Sequence, residues 1–197
     1  MKKIRFALLA VLILAFFVNV GYSQPAEYKI DKSHSNIGFV VTHLIITKVR
    51  GEFKDYDAKI VYDTNNLSNS SIDVSIDVAS IDTETERRDN HLRSGDFFDA
   101  EKHPKITFKS TSIQKEGDQL YALGNLTIRG VTKEVKMPFE MTETIVDPWG
   151  NTRFGAEASL KINRFDYGVK WDKKMDTGSL VVSNDVTIEI QIAAVKQ

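Results

Sequence analysis

The sequence predicts an all-β chain: one antiparallel sheet of about eight strands with a single short helical excursion. Three observations carry this. Apolar and polar residues alternate with period two in eight separate runs. Short turn-forming segments divide those runs. One stretch alone carries helix spacing and start signals.

The runs appear in chain order. Ile37, Phe39 and Val41 share one face. Tyr56, Ala58, Ile60 and Tyr62 follow, with Asp57, Lys59 and Asp63 opposite. Ile72, Val74, Ile76 and Val78 alternate with Asp73, Ser75 and Asp77. Ile106 and Phe108 alternate with Lys105, Thr107 and Lys109. Leu120, Ala122, Gly124, Leu126 and Ile128 form a fifth row, and Val135, Met137, Phe139 and Met141 a sixth. Phe154, Ala156, Ala158 and Leu160 make the seventh, and Val186, Ile188, Ile190 and Ile192 the last. Such alternation produces strands with one dry and one wet face.

Glu116-Gly117-Asp118, Arg129-Gly130 and Asp147-Pro148-Trp149-Gly150 are hairpin-type breaks, which favour antiparallel neighbours. Leu44 to Thr47 reads as a further short turn. Pro138 conflicts with a central strand and implies an edge, a bulge or a missing ladder bond. Thr83 followed by Glu86 resembles a capping box. It opens a helical segment from Glu84 to Arg93, in which Asp89 and Arg93 are spaced to pair. Gly95 ends it, and Asp96 caps a second short turn through Phe97 and Phe98.

Eight such strands either close into a barrel, which removes exposed edges, or split into a sandwich. The dry face mixes large rows with small ones at Ala122, Gly124, Ala156 and Ala158. Small residues leave a void unless large ones oppose them, so the interior is either a cavity or a filled core.

Composition excludes several classes. The chain has 197 residues with 26 Lys+Arg, 27 Asp+Glu and no Cys. Balanced, scattered charge argues against binding to a nucleic-acid backbone. Without cysteine there is no disulfide scaffold and no thiolate metal site.

The start of the chain has the three-part pattern of a secretory signal. Lys2, Lys3 and Arg5 precede an apolar run from Phe6 to Val18. Small residues Gly21 and Ser23 then mark cleavage before Gln24. The run falls short of the roughly 20 residues of a spanning helix. Residues 1–23 are therefore expected to be a signal peptide cleaved near Ser23–Gln24, and the mature protein to be periplasmic or secreted.

Catalytic patterns are weak. His34, His43, His91 and His103 lie near Asp31, Asp89, Asp96 and Asp99 in sequence, without a paired metal-ligand spacing. Asp31/His34/Ser35 and Asp89/His91/Ser94 lack a nucleophile elbow. No catalytic residue, metal or cofactor is expected. Within Glu84–Arg93, the arginines either pair locally on a solvated helix, or Arg88 or Arg93 clamps an anionic head group.

Six segments, in order, resemble the YceI-like family of exported bacterial lipid-binding proteins. They are Asp31-Lys32-Ser33-His34-Ser35-Asn36-Ile37-Gly38-Phe39 with Val41-Thr42-His43 and Gly51-Glu52-Phe53, Arg88-Asp89-Asn90-His91-Leu92-Arg93-Ser94-Gly95-Asp96-Phe97-Phe98-Asp99, Pro104-Lys105-Ile106-Thr107-Phe108-Lys109-Ser110-Thr111, Gly124-Asn125-Leu126-Thr127-Ile128-Arg129-Gly130-Val131-Thr132-Lys133, Arg164-Phe165-Asp166-Tyr167-Gly168 and Asp185-Val186-Thr187-Ile188. The resemblance spans residues 27–195. It implies an extended lipocalin-like barrel whose apolar lumen takes a polyisoprenoid or another long-chain amphiphile, without catalysis. Combined with the alternation, it assigns the lining to Phe39, Val41, Ile76, Phe108, Leu126, Ile128, Met137, Phe139, Phe154, Leu160 and Ile188, with Phe97 and Phe98 at the mouth. The expected partner is a long-chain isoprenoid or lipid and no nucleic acid. A homodimer and a membrane-associated donor or acceptor are the candidate protein partners. The rival expectation is an exported stress-associated or interaction module with a filled barrel and no ligand.

Overall fold

The computed structural model describes residues 24–197. The expected signal peptide lies outside them. Twelve strands form: β1 (Ala26–Ile30), β2 (Asn36–His43), β3 (Thr47–Phe53), β4 (Tyr56–Tyr62), β5 (Ser71–Asp77), β6 (Ile81–Asp82), β7 (Lys105–Glu116), β8 (Gln119–Ile128), β9 (Val131–Met141), β10 (Ile145–Val146), β11 (Thr152–Asn163) and β12 (Val182–Lys196). One helix, α1 (Glu86–Arg93), interrupts them.

Eight strands close a ring in the order β9-β8-β7-β5-β4-β1-β12-β11, and β11 returns to β9. All neighbours in the ring are antiparallel, so the sheet is a barrel and not a sandwich. The ring differs from the eight alternating runs at one place. β1, too short to show a period, replaces β2. The long β12 serves both strands: Val182 to Gln191 pair with β2, and Ala194 to Lys196 pair with β1. Between them the chain jogs through a 3-10 turn, Lys32–His34, capped by the Asp31 carboxylate accepting the Ser33 amide at 3.2 Å. β2, β3 and β6 thus extend the wall beyond the ring.

Hairpins form where the turn chemistry predicts them. Arg129 and Gly130 both have positive φ, 50° and 74°. That is the two-residue turn whose twist suits adjacent strands, and glycine adopts it at no steric cost. The Arg129 guanidinium turns back and donates to Gly95 O at 2.7 Å and to Gly168 O, tying two loops to this end.

Pro138 marks one of the two shortest seams of the ring, three residue pairs long like the β1–β12 seam. Thr142 N–H donates to Gly155 O at 2.9 Å, so alternate residues of β9 aim their amides at β11. Pairing continues from Met141↔Ala156 to Phe139↔Ala158 and stops. The next amide in phase belongs to Pro138, which has none. By contrast, β11 and β12 stay paired from Arg153↔Val195 to Asn163↔Asp185.

The helix departs from the expected capping box. Thr85, not Thr83, is the N-cap, and its side chain makes no capping bond. The buried Asp89 carboxylate instead accepts the Thr83 amide at 2.9 Å and the Thr83 hydroxyl. Asp89 therefore does not pair with Arg93. Asp63, expected on the wet face of β4, lies just past that strand and is buried. It accepts the amides of Asn65 (2.9 Å) and Asn66 (3.1 Å) and the Asn69 side chain (2.8 Å), organising the turn to β5.

At the end of the barrel holding the C-terminus, Arg153 lies between two carboxylates. It donates through Nη1 to Asp31 at 2.8 Å and through Nε to Asp147 at 2.6 Å. The Ser33 hydroxyl, Arg153 and His34 hold the Asp31 carboxyl well below the ordinary carboxylate range. At Asp147 burial acts upward, but hydrogen bonds from Asn151, Arg153 and the Trp149 amide outweigh it and bring the group to about 2. Both groups bind protons more weakly folded than unfolded, so their stabilisation is complete above the unfolded value and is lost as pH falls. The urea midpoint should therefore drop on acidification from about pH 4 towards about 2, the folded value for Asp147. Asp147→Asn should lower the neutral-pH midpoint and flatten this acid limb.

Candidate functional site: an apolar lumen

The inner faces of the ring enclose a cavity of about 240 Å³ whose accessible wall is almost wholly apolar. For scale, engineered cavities of about 150 Å³ lined by Leu, Ile and Phe stay dry and bind benzene. The interior is thus not solid, contrary to the filled-core expectation. All eleven expected lining residues lie on its wall, Phe39, Val41, Ile76, Phe108, Leu126, Ile128, Met137, Phe139, Phe154, Leu160 and Ile188, and so do Phe97 and Phe98, expected at the mouth. Each strand contributes alternate residues, because successive side chains point to opposite faces.

Volume remains because small residues cluster. Ala156 and Ala158 of β11 face the lumen between the pairing partners Met141 and Phe139 of β9 on one side and Ile192 and Ile190 of β12 on the other. Gly124 is small for a different reason. A Cβ there would sit 2.5 Å from Lys109 O and 2.8 Å from the Phe108 ring. Phe108 lies across β8 at this point and uses the space, so Gly124 serves close approach rather than emptiness.

The wall also includes residues the alternation did not place. β7 carries a bulge between Ser110 and Ser112. The extra residue shifts the phase, so Ile106 and Phe108 face inward before it and Ile113 after it. The unbroken polar run Ser110-Thr111-Ser112 in an otherwise alternating strand is the available signal. Leu67, Leu92, Tyr167 and Val169 reach the wall from turns and the helix, where period two carries no information.

Aromatic clusters stand at both ends. At one end, Phe53 and Phe98 meet edge-on at 6.1 Å between centroids, and Phe97 lies 5.3 Å from Trp171 and 5.0 Å from His91. At the other, Tyr28 packs 4.8 Å from Phe154 and 6.5 Å from Tyr62.

Ser70 and Arg164 at the wall are already engaged in hydrogen bonds. The Ser70 hydroxyl accepts the Asp63 amide at 3.0 Å. Arg164 is buried, and burial lowers its pKa. Its Nε donates to Ser183 O (2.9 Å), Nη1 to Val169 O (2.7 Å), and Nη2 to Trp171 O (2.8 Å) and Val182 O (3.1 Å). The planar fork thereby ties the segment after β11 to the start of β12. Sequence reasoning placed Arg164 only within a family motif; its burial and partners come from the fold.

Arg88 and Arg93 do not face the lumen. Arg88 donates to Thr83 O at 2.6 Å and to the Thr83 and Thr85 hydroxyls. Arg93 donates to Ala79 O at 2.8 Å and Ile81 O at 2.7 Å. Their donors fix α1 to the chain before it rather than clamping a head group. His34 meets Asp31 at 3.0 Å, and His91 meets Asp96 at 2.9 Å. Among the described residues no three His, Cys, Asp or Glu side chains are grouped closely enough to hold a metal ion.

The YceI-like domain matches residues 28–194. The chain belongs to the YceI-like family. Protein YceI of Escherichia coli O157:H7 is 39% identical over 174 residues, covering 87% of this chain and 90% of the relative. The crystal structure of Burkholderia cenocepacia BcnA superposes with a TM-score of 0.74 at 25% identity, over 83% of this chain and 98% of that one. A polyisoprenoid binding domain from Saccharophagus degradans, implicated in plant cell wall breakdown, shares the fold at a TM-score of 0.62 and 16% identity, over 88% of this chain and 100% of that one. These likenesses agree with the closed YceI-like barrel and its single helix.

Arg164→Leu should lower the unfolding free energy by about 3 kcal/mol, because one buried and three partly buried carbonyls lose their donor. Arg164→Lys should restore only part of this, since an ammonium cannot span the same fork. Urea denaturation of the two variants checks both outcomes.

Proposed function

We propose that this YceI-like barrel is a non-catalytic carrier that shields a long apolar chain, a polyisoprenoid or the tail of another amphiphilic lipid, after export to the periplasm or the cell exterior. The carrying observation is the lumen: about 240 Å³ of space with an almost wholly apolar wall. A prenyl chain has no hydrogen-bonding groups, so its site needs length and dryness rather than convergent polar atoms. Its burial releases about 25 cal/mol per Å² of apolar surface. The engagement of Ser70 and Arg164 at this wall in structural hydrogen bonds supports the non-catalytic reading. The Saccharophagus domain of the same fold, described as polyisoprenoid binding, supports the choice of ligand class. The signal-like sequence before Gln24 supports export.

An organic extract of the purified protein, analysed by mass spectrometry, should contain a long-chain isoprenoid or lipid. Ala158→Phe places a ring in the lumen. It should reduce the extracted lipid several-fold while leaving the melting temperature close to wild type. A lipid-free extract together with no uptake of added polyprenol would reject the carrier. N-terminal sequencing of protein recovered from the cell envelope or medium should begin at Gln24, and an intact Met1 would reject export by a cleaved signal.

A further inference from the structure

The turn between β2 and β3 exposes Leu44, Ile45 and Ile46 by 37%, 67% and 79%. Ile46 N–H donates to His43 O at 3.2 Å and closes the turn. Its two central residues, Leu44 and Ile45, have φ of 50° and 58°. Turns with two left-handed central residues normally use Asn-Gly. A β-branched isoleucine there is a conformational outlier. Strained backbone and exposed apolar side chains at one spot contribute nothing to folding, and strain of this kind collects at working surfaces.

Basic residues surround this turn. Leu44 N–H donates to Val181 O at 2.7 Å, and Val181 N–H to Lys173 O at 2.9 Å, which lays the segment carrying Lys170, Lys173 and Lys174 alongside. Lys48 stands opposite Thr42 on the same hairpin. All four lysines are exposed. Among the described residues none of the four joins an ion pair, whereas other lysines of the barrel do. Asp172 and Asp176 share the segment, and Asp172 acts on the Arg164 charge, so the tip stays net basic. The lumen wall reaches the same place: Val41 and Val182 both line the cavity, and Val182 pairs with His43, the residue before the turn.

We propose that this tip docks the barrel onto a bilayer containing anionic lipid. Ile45 and Ile46 enter the acyl boundary, and Lys48, Lys170, Lys173 and Lys174 lie at the phosphate level. The purpose, loading or delivering cargo, rests on the carrier function proposed above; the docking itself does not.

Co-sedimentation with vesicles tests it, using phosphatidylcholine alone and phosphatidylcholine mixed with phosphatidylglycerol. Wild type should bind the mixed vesicles and bind the neutral ones far more weakly. Lys173→Gln/Lys174→Gln should weaken binding about 25-fold, from about fivefold per lysine near an anionic surface. Leu44→Asn/Ile45→Gly supplies the residues the turn prefers. It should raise or maintain the melting temperature and still lose at least about tenfold in vesicle affinity, whereas a merely structural tip would show no such loss. Trp149→Ser, at the opposite end of the barrel, should bind as wild type. Wild-type protein that ignores anionic vesicles, or a Leu44→Asn/Ile45→Gly variant that binds them normally, overturns the proposal. Self-association that the tip variant abolishes, without vesicle binding, assigns the tip to a second copy and overturns it equally. Lipid extracted in parallel separates the two claims: an empty wild-type lumen with intact docking rejects the cargo and leaves the docking standing.

Discussion

Closure of the sheet is the constraint on which everything else depends. Once β11 pairs with both β9 and β12, no strand can move inward to fill a gap. The interior width is then set by strand number and tilt, not by the side chains inside. Eight strands leave just enough width for side chains to fill, so alanines on one wall become empty space instead of a tighter core. In a sandwich the same Ala156 and Ala158 would let two layers approach; in a ring they leave a lumen.

A closed ring has to join incompatible paths, and the irregular features lie at those joints. β12 serves two neighbours because the Asp31-capped turn breaks the first strand into β1 and β2. Pro138 ends the β9–β11 ladder after three residue pairs. The bulge in β7 corrects the inward phase midway along a long strand. At one end, cationic side chains hold the closure: buried Arg164 and half-buried Arg129 donate to backbone carbonyls of the neighbouring loops and of the start of β12. At the other, Arg153 joins the first turn to the β10–β11 hairpin through two carboxylates. The half-exposed lysine–acid pairs on the outer face contribute little by comparison.

The division of polarity follows from the same geometry. With the inner face reserved for apolar side chains, polar groups work on the outside and at the ends. That is why His34, His91, Arg88 and Arg93, which looked like candidates for chemistry, hold loops in place. It is also why an apolar, basic tip at the β2–β3 turn stands out, since nothing in the barrel requires it.

Period-two alternation was sufficient to assign the all-β class, seven of the eight ring strands and the inward face of each, because a strand has only two faces and one is dry. Hence Phe39, Met137 and Leu160 were legible as lining residues, and the turn residues Arg129-Gly130 and Gly117 were legible as hairpins. Family resemblance supplied the lipocalin-like shape and the ligand class, which alternation alone left open. Closure, the ring place of β1, the bulge before Ile113, the contribution of Tyr167 and Val169, and the role of Arg164 were decided only in three dimensions. Each depends on which distant segment comes to lie beside it, and period along the chain carries no record of that. The void itself belongs to this group: whether small residues oppose large ones or open space is a relation between strands, settled when the sheet closes.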